Sequence, residues 1–164
     1  MTGELKKIII YSDGSSLGNP GPGGYGVVIR YKDIRKELSG GFKLTTNNRM
    51  ELLAAIEGLC ALKEKCDVTL YTDSRYVVDG IMKGWAESWR RKGWMRNKKE
   101  KAVNVDLWER LLVLIDKHKV AIKWVQGHAG HPENEYCDRL AKQSAMQQNL
   151  QIDTGYGNND SCMF

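Results

Sequence analysis

Two short apolar segments each end on an aspartate: Ile10-Tyr11-Ser12-Asp13-Gly14 and Leu70-Tyr71-Thr72-Asp73-Ser74. Both read as strands, which puts each acid at a strand's carboxyl end, where ligands of open α/β sheets bind. If the two strands are parallel neighbours, about 4.8 Å apart, the carboxylates stand side by side. Glu51 sits one turn into a helix among Met50, Leu52, Leu53, Ala54 and Ala55, so a charge there needs a partner or a metal. Asp138 lies on the last helix, opposite Cys137, Leu140, Ala141 and Ser144, with Asn134 one turn before it. Four clustered carboxylates repel one another unless a cation neutralises them. An all-oxygen ligand set favours Mg²⁺ or Mn²⁺ over Zn²⁺. Two such ions about 3.5–4 Å apart can clamp the attacking and leaving oxygens of a phosphodiester displacement. Taken singly, each acid has a plainer reading: Asp13 and Asp73 as turn formers, Glu51 and Asp138 as first-turn acids favoured by the helix dipole. Composition alone does not bring the four together.

The elements that must position them follow from pattern. Strands are expected over 5–12, 25–31, 37–42, 68–72 and 120–125. The stretch 15–24, with four glycines and two prolines, reads as a turn-rich loop. Thr46 or Asn47 can cap a helix to about Lys65, in which Leu52, Ala55, Ile56, Leu59 and Leu62 keep the 3.6-residue period. Ser74 caps a short helix to about Met82. A further helix over 103–118 carries Trp108, Leu111, Leu112 and Ile115 on one stripe, and Pro132 suits the first turn of a last one to about Ala145. Three hairpin-connected strands followed by strand–helix alternation imply an α/β fold, a mixed sheet flanked by helices. The 164 residues amount to one domain, expected over 1–146, with 147–164 a polar, loosely attached tail.

Charge is unevenly spread. Net charge is +5, yet 83–101 alone holds eight basic residues and two acidic ones, leaving the remainder near neutral. One basic patch on a neutral body points to a polyanionic partner. Trp85, Trp89 and Trp94 are interleaved with it; they are either packed beneath a solvated helix or, where exposed, set against sugar rings. Cys60, Cys66, Cys137 and Cys162 have no metal-type spacing and read as reduced, mostly buried small hydrophobes. The start of the sequence lacks a secretion signal, and no apolar run approaches the ~20 residues of a membrane span. The expectation is a cytoplasmic monomer.

Five segments resemble the motifs of bacterial type-1 ribonuclease H, in family order over about residues 6–146: 11–26 (Tyr-Ser-Asp-Gly-Ser-Ser-Leu-Gly-Asn-Pro-Gly-Pro-Gly-Gly-Tyr-Gly), 45–52 (Thr-Thr-Asn-Asn-Arg-Met-Glu-Leu), 71–77 (Tyr-Thr-Asp-Ser-Arg-Tyr-Val), 104–108 (Asn-Val-Asp-Leu-Trp) and 124–141, which holds Gly-His-Ala-Gly-His-Pro-Glu-Asn. Asp-Thr-Gly-Tyr at 153–156 resembles the family's C-terminal tail. The resemblance implies a ribonuclease H-like mixed five-stranded sheet and an extra helix in the basic segment. It implies an endonuclease cutting the RNA strand of RNA–DNA hybrids with two Mg²⁺ ions, Mn²⁺ able to substitute, leaving 5′-phosphate and 3′-hydroxyl ends. Asp13, Glu51, Asp73 and Asp138 become the metal ligands, and His128 the catalytic-loop histidine. Gly14, Asn19, Asn47 and Asn48 face the RNA. Thr46 and Asn104 line a DNA-phosphate pocket, Trp108 the DNA channel, and Trp85, Arg90, Arg91 and Lys92 the basic protrusion that grips DNA. Leu44 departs from the pattern, replacing a basic residue beside the phosphate pocket, as do Gln126 and Ser16. The alternative reading is a hybrid-binding module without catalysis, which the loss of one of the four acids would have signalled.

Overall fold

A computed structural model of the chain describes residues 3–127 and 130–156. The elements are β1 (Lys6–Ser16), β2 (Gly21–Tyr31), β3 (Ile34–Thr45), α1 (Asn47–Cys60), β4 (Cys66–Thr72), α2 (Arg75–Met82), α3 (Trp85–Arg91), α4 (Val105–Lys117), β5 (Lys119–Trp124) and α5 (Pro132–Ala145). The sheet order is β3-β2-β1-β4-β5. The β1–β2 and β2–β3 pairs are antiparallel, and β1–β4 and β4–β5 are parallel. This is the mixed sheet expected from the order of patterns, and its five strands and the helix α3 in the basic segment are those the resemblance implied.

Side chains alternate across a strand, and here one face is sealed. Ile8 and Ile10 of β1, Val68 and Leu70 of β4 and Ile122 of β5 join Leu52, Ile56 and Leu59 of α1 and Leu111 of α4 in one buried cluster. The helix starts follow local chemistry. Thr46 accepts the Arg49 N–H at 3.3 Å and Ser74 the Val77 N–H at 3.1 Å, each satisfying an otherwise orphaned donor. Among the described residues no helix is long and apolar enough to cross a membrane.

α5 packs across β1, β2 and β3 on the other face, and it lies unusually low. A Cβ on Gly24 would stand 2.4 Å from the Ala141 carbonyl oxygen, and one on Gly26 2.3 Å from that of Cys137. The glycine-rich stretch expected to be loop is therefore largely strand: only 17–20 turn, and Gly24, with Gly26 just beyond the stretch, makes room for a helix backbone.

Other boundaries also moved. β3 is an edge strand with mostly exposed charged residues, which blunt the edge but erase the alternation that marks strand length. α1 ends at Cys60 rather than near Lys65, because 61–65 must turn the chain back for Cys66 to pair beside Lys6. Cys60 is consequently exposed, against expectation, while Cys66 and Cys137 are buried. The tail expected to hang loosely is tied down through Tyr156: Lys43 donates to the Gln151 carbonyl at 2.8 Å, and Gln151 donates to the Gly41 carbonyl at 2.8 Å.

Candidate active site

The parallel ladder between β1 and β4 ends at the pair Ser12–Thr72, so Asp13 and Asp73 follow at the same level. Asp13 is not at the strand's end as expected; it remains in the antiparallel ladder, opposite Gly26. Glu51 enters from α1. A Cβ on Gly14 would stand 2.3 Å from the backbone of Met50 and of Glu51, so only glycine lets α1 seat this closely on β1. The Gly14 N–H then donates to both acids, to Asp13 Oδ1 at 2.9 Å and to Glu51 Oε1 at 2.6 Å. Gly14 is buried, and its missing side chain admits the start of α1.

Carboxylate oxygens of Asp13, Glu51 and Asp73 lie within 4.8 Å of one another. Asp138, half-buried on α5, pairs with Lys142 at 3.0 Å and still acts on Asp13 through its charge and a side-chain hydrogen bond. Burial pushes Asp13 from its ordinary 3.8 to about 8, helped by the charges of Asp73 and Asp138. Burial, then Asp13 and Asp73, drive Glu51 well above the carboxylate range. Such a cluster resists full ionisation unless a cation enters it. Hard oxygen donors crowded at this spacing suit a small divalent cation, so the residues present fit a metal. The end of β4 is braced from outside: the Trp124 indole donates to the Asp73 carbonyl at 3.1 Å, and the Arg75 guanidinium lies 3.9 Å from the Trp124 ring centre. A Cβ on Gly127 would stand 2.9 Å from Asp73 Oδ2. His128 lies outside the described residues.

The remaining expected residues divide. Asn19, Thr46, Asn48 and Asn104 line one cleft of about 440 Å³, joined by Arg49 and Tyr156. Asn47 is exposed at the start of α1, its N–H donating to Asn19 Oδ1 at 3.1 Å. Trp85 is 45 % exposed, with the Lys83 ammonium 5.1 Å from its ring centre, whereas Trp89 and Trp94 pack against the core. Arg91 and Lys92 are exposed and in no ion pair among the described residues. Arg90 is tied to Glu87 and, at 3.2 Å, to Asp116. Trp108 corrects a second expectation. It is fully buried, its indole donating to the Tyr76 hydroxyl at 3.0 Å, because Gly80 leaves space for the ring: a Cβ there would sit 2.2 Å from it. The helical stripe, not the motif, described Trp108.

Sequence reasoning missed Arg49, a buried guanidinium on α1, together with its carboxylate partners Asp106 and Asp153. A cation in an otherwise apolar run, two residues from Glu51, was the available signal.

A mixed sheet that brings acids from β1, β4, α1 and α5 to one point is the ribonuclease H-like architecture. The RNase H family model matches residues 5–146. A ribonuclease H of Desulforamulus reducens is 67% identical over 149 residues, covering 91% of this chain and 94% of that protein. One of Rippkaea orientalis is 61% identical over 158 residues, covering 96% and 97%. Among solved structures, LC9-RNase H1, a type 1 RNase H with the type 2 active-site motif, matches at a TM-score of 0.80 and 35% identity, over 95% of this chain and 81% of that one. The chain belongs to the ribonuclease H family.

Proposed function

We propose that the protein is an endonuclease that hydrolyses the RNA strand of RNA–DNA hybrids, leaving 5′-phosphate and 3′-hydroxyl ends. The observation that carries this is the meeting of buried Asp13 and Glu51 with half-buried Asp73 in a chain of this family. Asp13, Glu51, Asp73 and Asp138 would hold two Mg²⁺ ions, with Mn²⁺ able to substitute. When bound, such ions supply charge stabilisation to the attacking and leaving oxygens of an in-line displacement. The Gly14 N–H, shared by two of the acids, holds their carboxyls in a fixed orientation. His128 shuttles a proton or aids product release, since an imidazole titrates near neutral pH. Arg91 and Lys92 bind the DNA strand's phosphates, with Trp85 against its sugars. Asn19, Asn47 and Asn48 offer amides to the 2′-hydroxyls that distinguish RNA from DNA.

The test is an end-labelled RNA–DNA hybrid incubated with and without Mg²⁺, beside single-stranded RNA, double-stranded RNA and duplex DNA. Metal-dependent cutting of the hybrid's RNA strand alone is expected. Binding without cutting, in Mg²⁺ and in Mn²⁺, would turn the reading to a hybrid-binding module.

A further inference from the structure

The C-terminal strap and the cleft beside α1 form one construction. Asp153 reaches back from the strap: its Oδ2 accepts from the Thr45 hydroxyl at 2.6 Å and from Arg49 Nε at 2.7 Å. Arg49 uses every donor it has. Nε and Nη2 bind Asp153, Nη1 and Nη2 bind Asp106 at 2.8 and 2.6 Å, and Nη1 also binds Asn104 Oδ1 at 3.3 Å. The Asn104 amide nitrogen in turn donates to the Tyr76 hydroxyl at 3.0 Å. Gly155 passes so close that a Cβ would fall 1.9 Å from Asp106 Oδ2, which brings Tyr156 into the cleft's lining beside Thr46, Asn48 and Asn104.

Although Arg49 lines the cleft, its guanidinium therefore has no donor left for a ligand, and Leu44 nearby is 52 % exposed and apolar. Whatever binds here is met by hydroxyls and amides. The cleft also opens close to the carboxylates: Thr46 precedes Glu51 by five residues, about 7.5 Å along the helix axis, a distance that a bound duplex can span.

We propose that the strap completes this cleft, that the Tyr156 hydroxyl is a hydrogen-bonding partner for the sugar–phosphate backbone of the bound duplex, and that Arg49 and Asp153 are positioning residues that fix Asn104 and the strap. The inference rests on the hybrid reading above. It makes the cleft's share of affinity a matter of neutral hydrogen bonds, whose strength depends little on counterion release.

The experiment measures hybrid affinity of the full chain without divalent cation across a salt series, with KM, kcat and unfolding temperature alongside, for wild type, Tyr156→Phe and Asp153→Asn. Tyr156→Phe is expected to weaken binding about 3- to 10-fold, the scale of one hydrogen bond removed, raising KM more than it lowers kcat. Its salt slope and unfolding temperature stay at the wild-type values. Asp153→Asn is expected to weaken binding and also to lower the unfolding temperature, since it loosens the strap itself. Hybrids with single neutral methylphosphonates along the DNA strand should show one position where wild type loses affinity and Tyr156→Phe loses none further. Wild-type affinity in Tyr156→Phe, while wild type binds hybrid normally, overturns this inference alone. A wild-type protein that binds no hybrid overturns the hybrid reading and this inference with it.

Discussion

The carboxylate centre and the basic arm are built on opposite plans. The centre draws residues from β1, α1, β4 and α5, far apart in sequence and brought together by sheet register and by glycines that let helices sit on strands. The arm is one contiguous stretch around α3 whose charges face water. In the centre, burial changes the chemistry of the groups: Asp13 and Glu51 hold their protons far above the usual range. In the arm, exposure leaves Arg91 and Lys92 hydrated and screened by salt. One region works by being costly to ionise, the other by being easy to reach.

The largest effects should come from breaking the centre. Asp13→Asn is expected to cut cleavage by about 10³-fold or more, since a metal's charge stabilisation is worth several kcal/mol, while hybrid binding persists. Full activity in that variant would remove Asp13 from the metal site. The same substitution should stabilise the metal-free fold. A carboxyl whose folded pKa is raised stabilises the protein below its unfolded pKa and loses that contribution as pH climbs through the folded value. For Asp13 the window runs from 3.8 to about 8, and Glu51 shifts the same way. The metal-free protein should therefore melt at lower temperature at pH 8 than at pH 5. Asp13→Asn should flatten that slope and raise the melting temperature at pH 8 by about 3 °C or more, roughly 1 kcal/mol for a chain of this size. Mg²⁺ should stabilise wild type more at pH 8 than at pH 5, because metal and protons compete for the same oxygens. A melting temperature independent of pH over this range, with or without Mg²⁺, would mean the acids are not strained by their burial. Gly14→Ala tests the seat of α1: its Cβ would meet backbone at 2.3 Å, and overpacking of this kind costs about 1–3 kcal/mol. Unfolding in denaturant would read it directly.

The two regions were also unequally legible. The arm announces itself locally, as eight cations in nineteen residues, but the charge count did not say that Arg90 is held by Glu87 and Asp116 or that Trp89 and Trp94 face inward. Only the three-dimensional course of the chain decides those. For the centre, the repeated Tyr-(Ser/Thr)-Asp ending placed Asp13 and Asp73 level on the condition that their strands pair in parallel, and the β1–β4 ladder meets that condition. Nothing in residue spacing placed Glu51 or Asp138 with them; the motif series did. Where stripe and motif disagreed, at Trp108, the stripe was right, since a helical apolar stripe reports packing directly and a motif carries roles only by analogy. The strap was least legible. Its anchoring depends on Asp153 meeting Arg49 across 104 residues, and a polar, glycine-rich tail carries no periodicity to reveal it.

The smaller effects sharpen the other side of the comparison. Replacing Arg91 and Lys92 together by Gln should raise KM several-fold, with turnover nearly intact. Each cation–phosphate pair removed should reduce the dependence of log affinity on log salt by about 0.9. An unchanged salt slope would reject the arm as a phosphate grip. Arg90→Gln is the finer probe. Its guanidinium already meets two carboxylates in the free protein, so reaching a phosphate means giving those up, and the net gain is small. Its replacement should shift hybrid affinity less than replacement of Arg91 alone. Equal shifts at the two positions, with equal changes in salt slope, would show that the duplex displaces Glu87 and Asp116, and that the arm is organised by its substrate rather than before it.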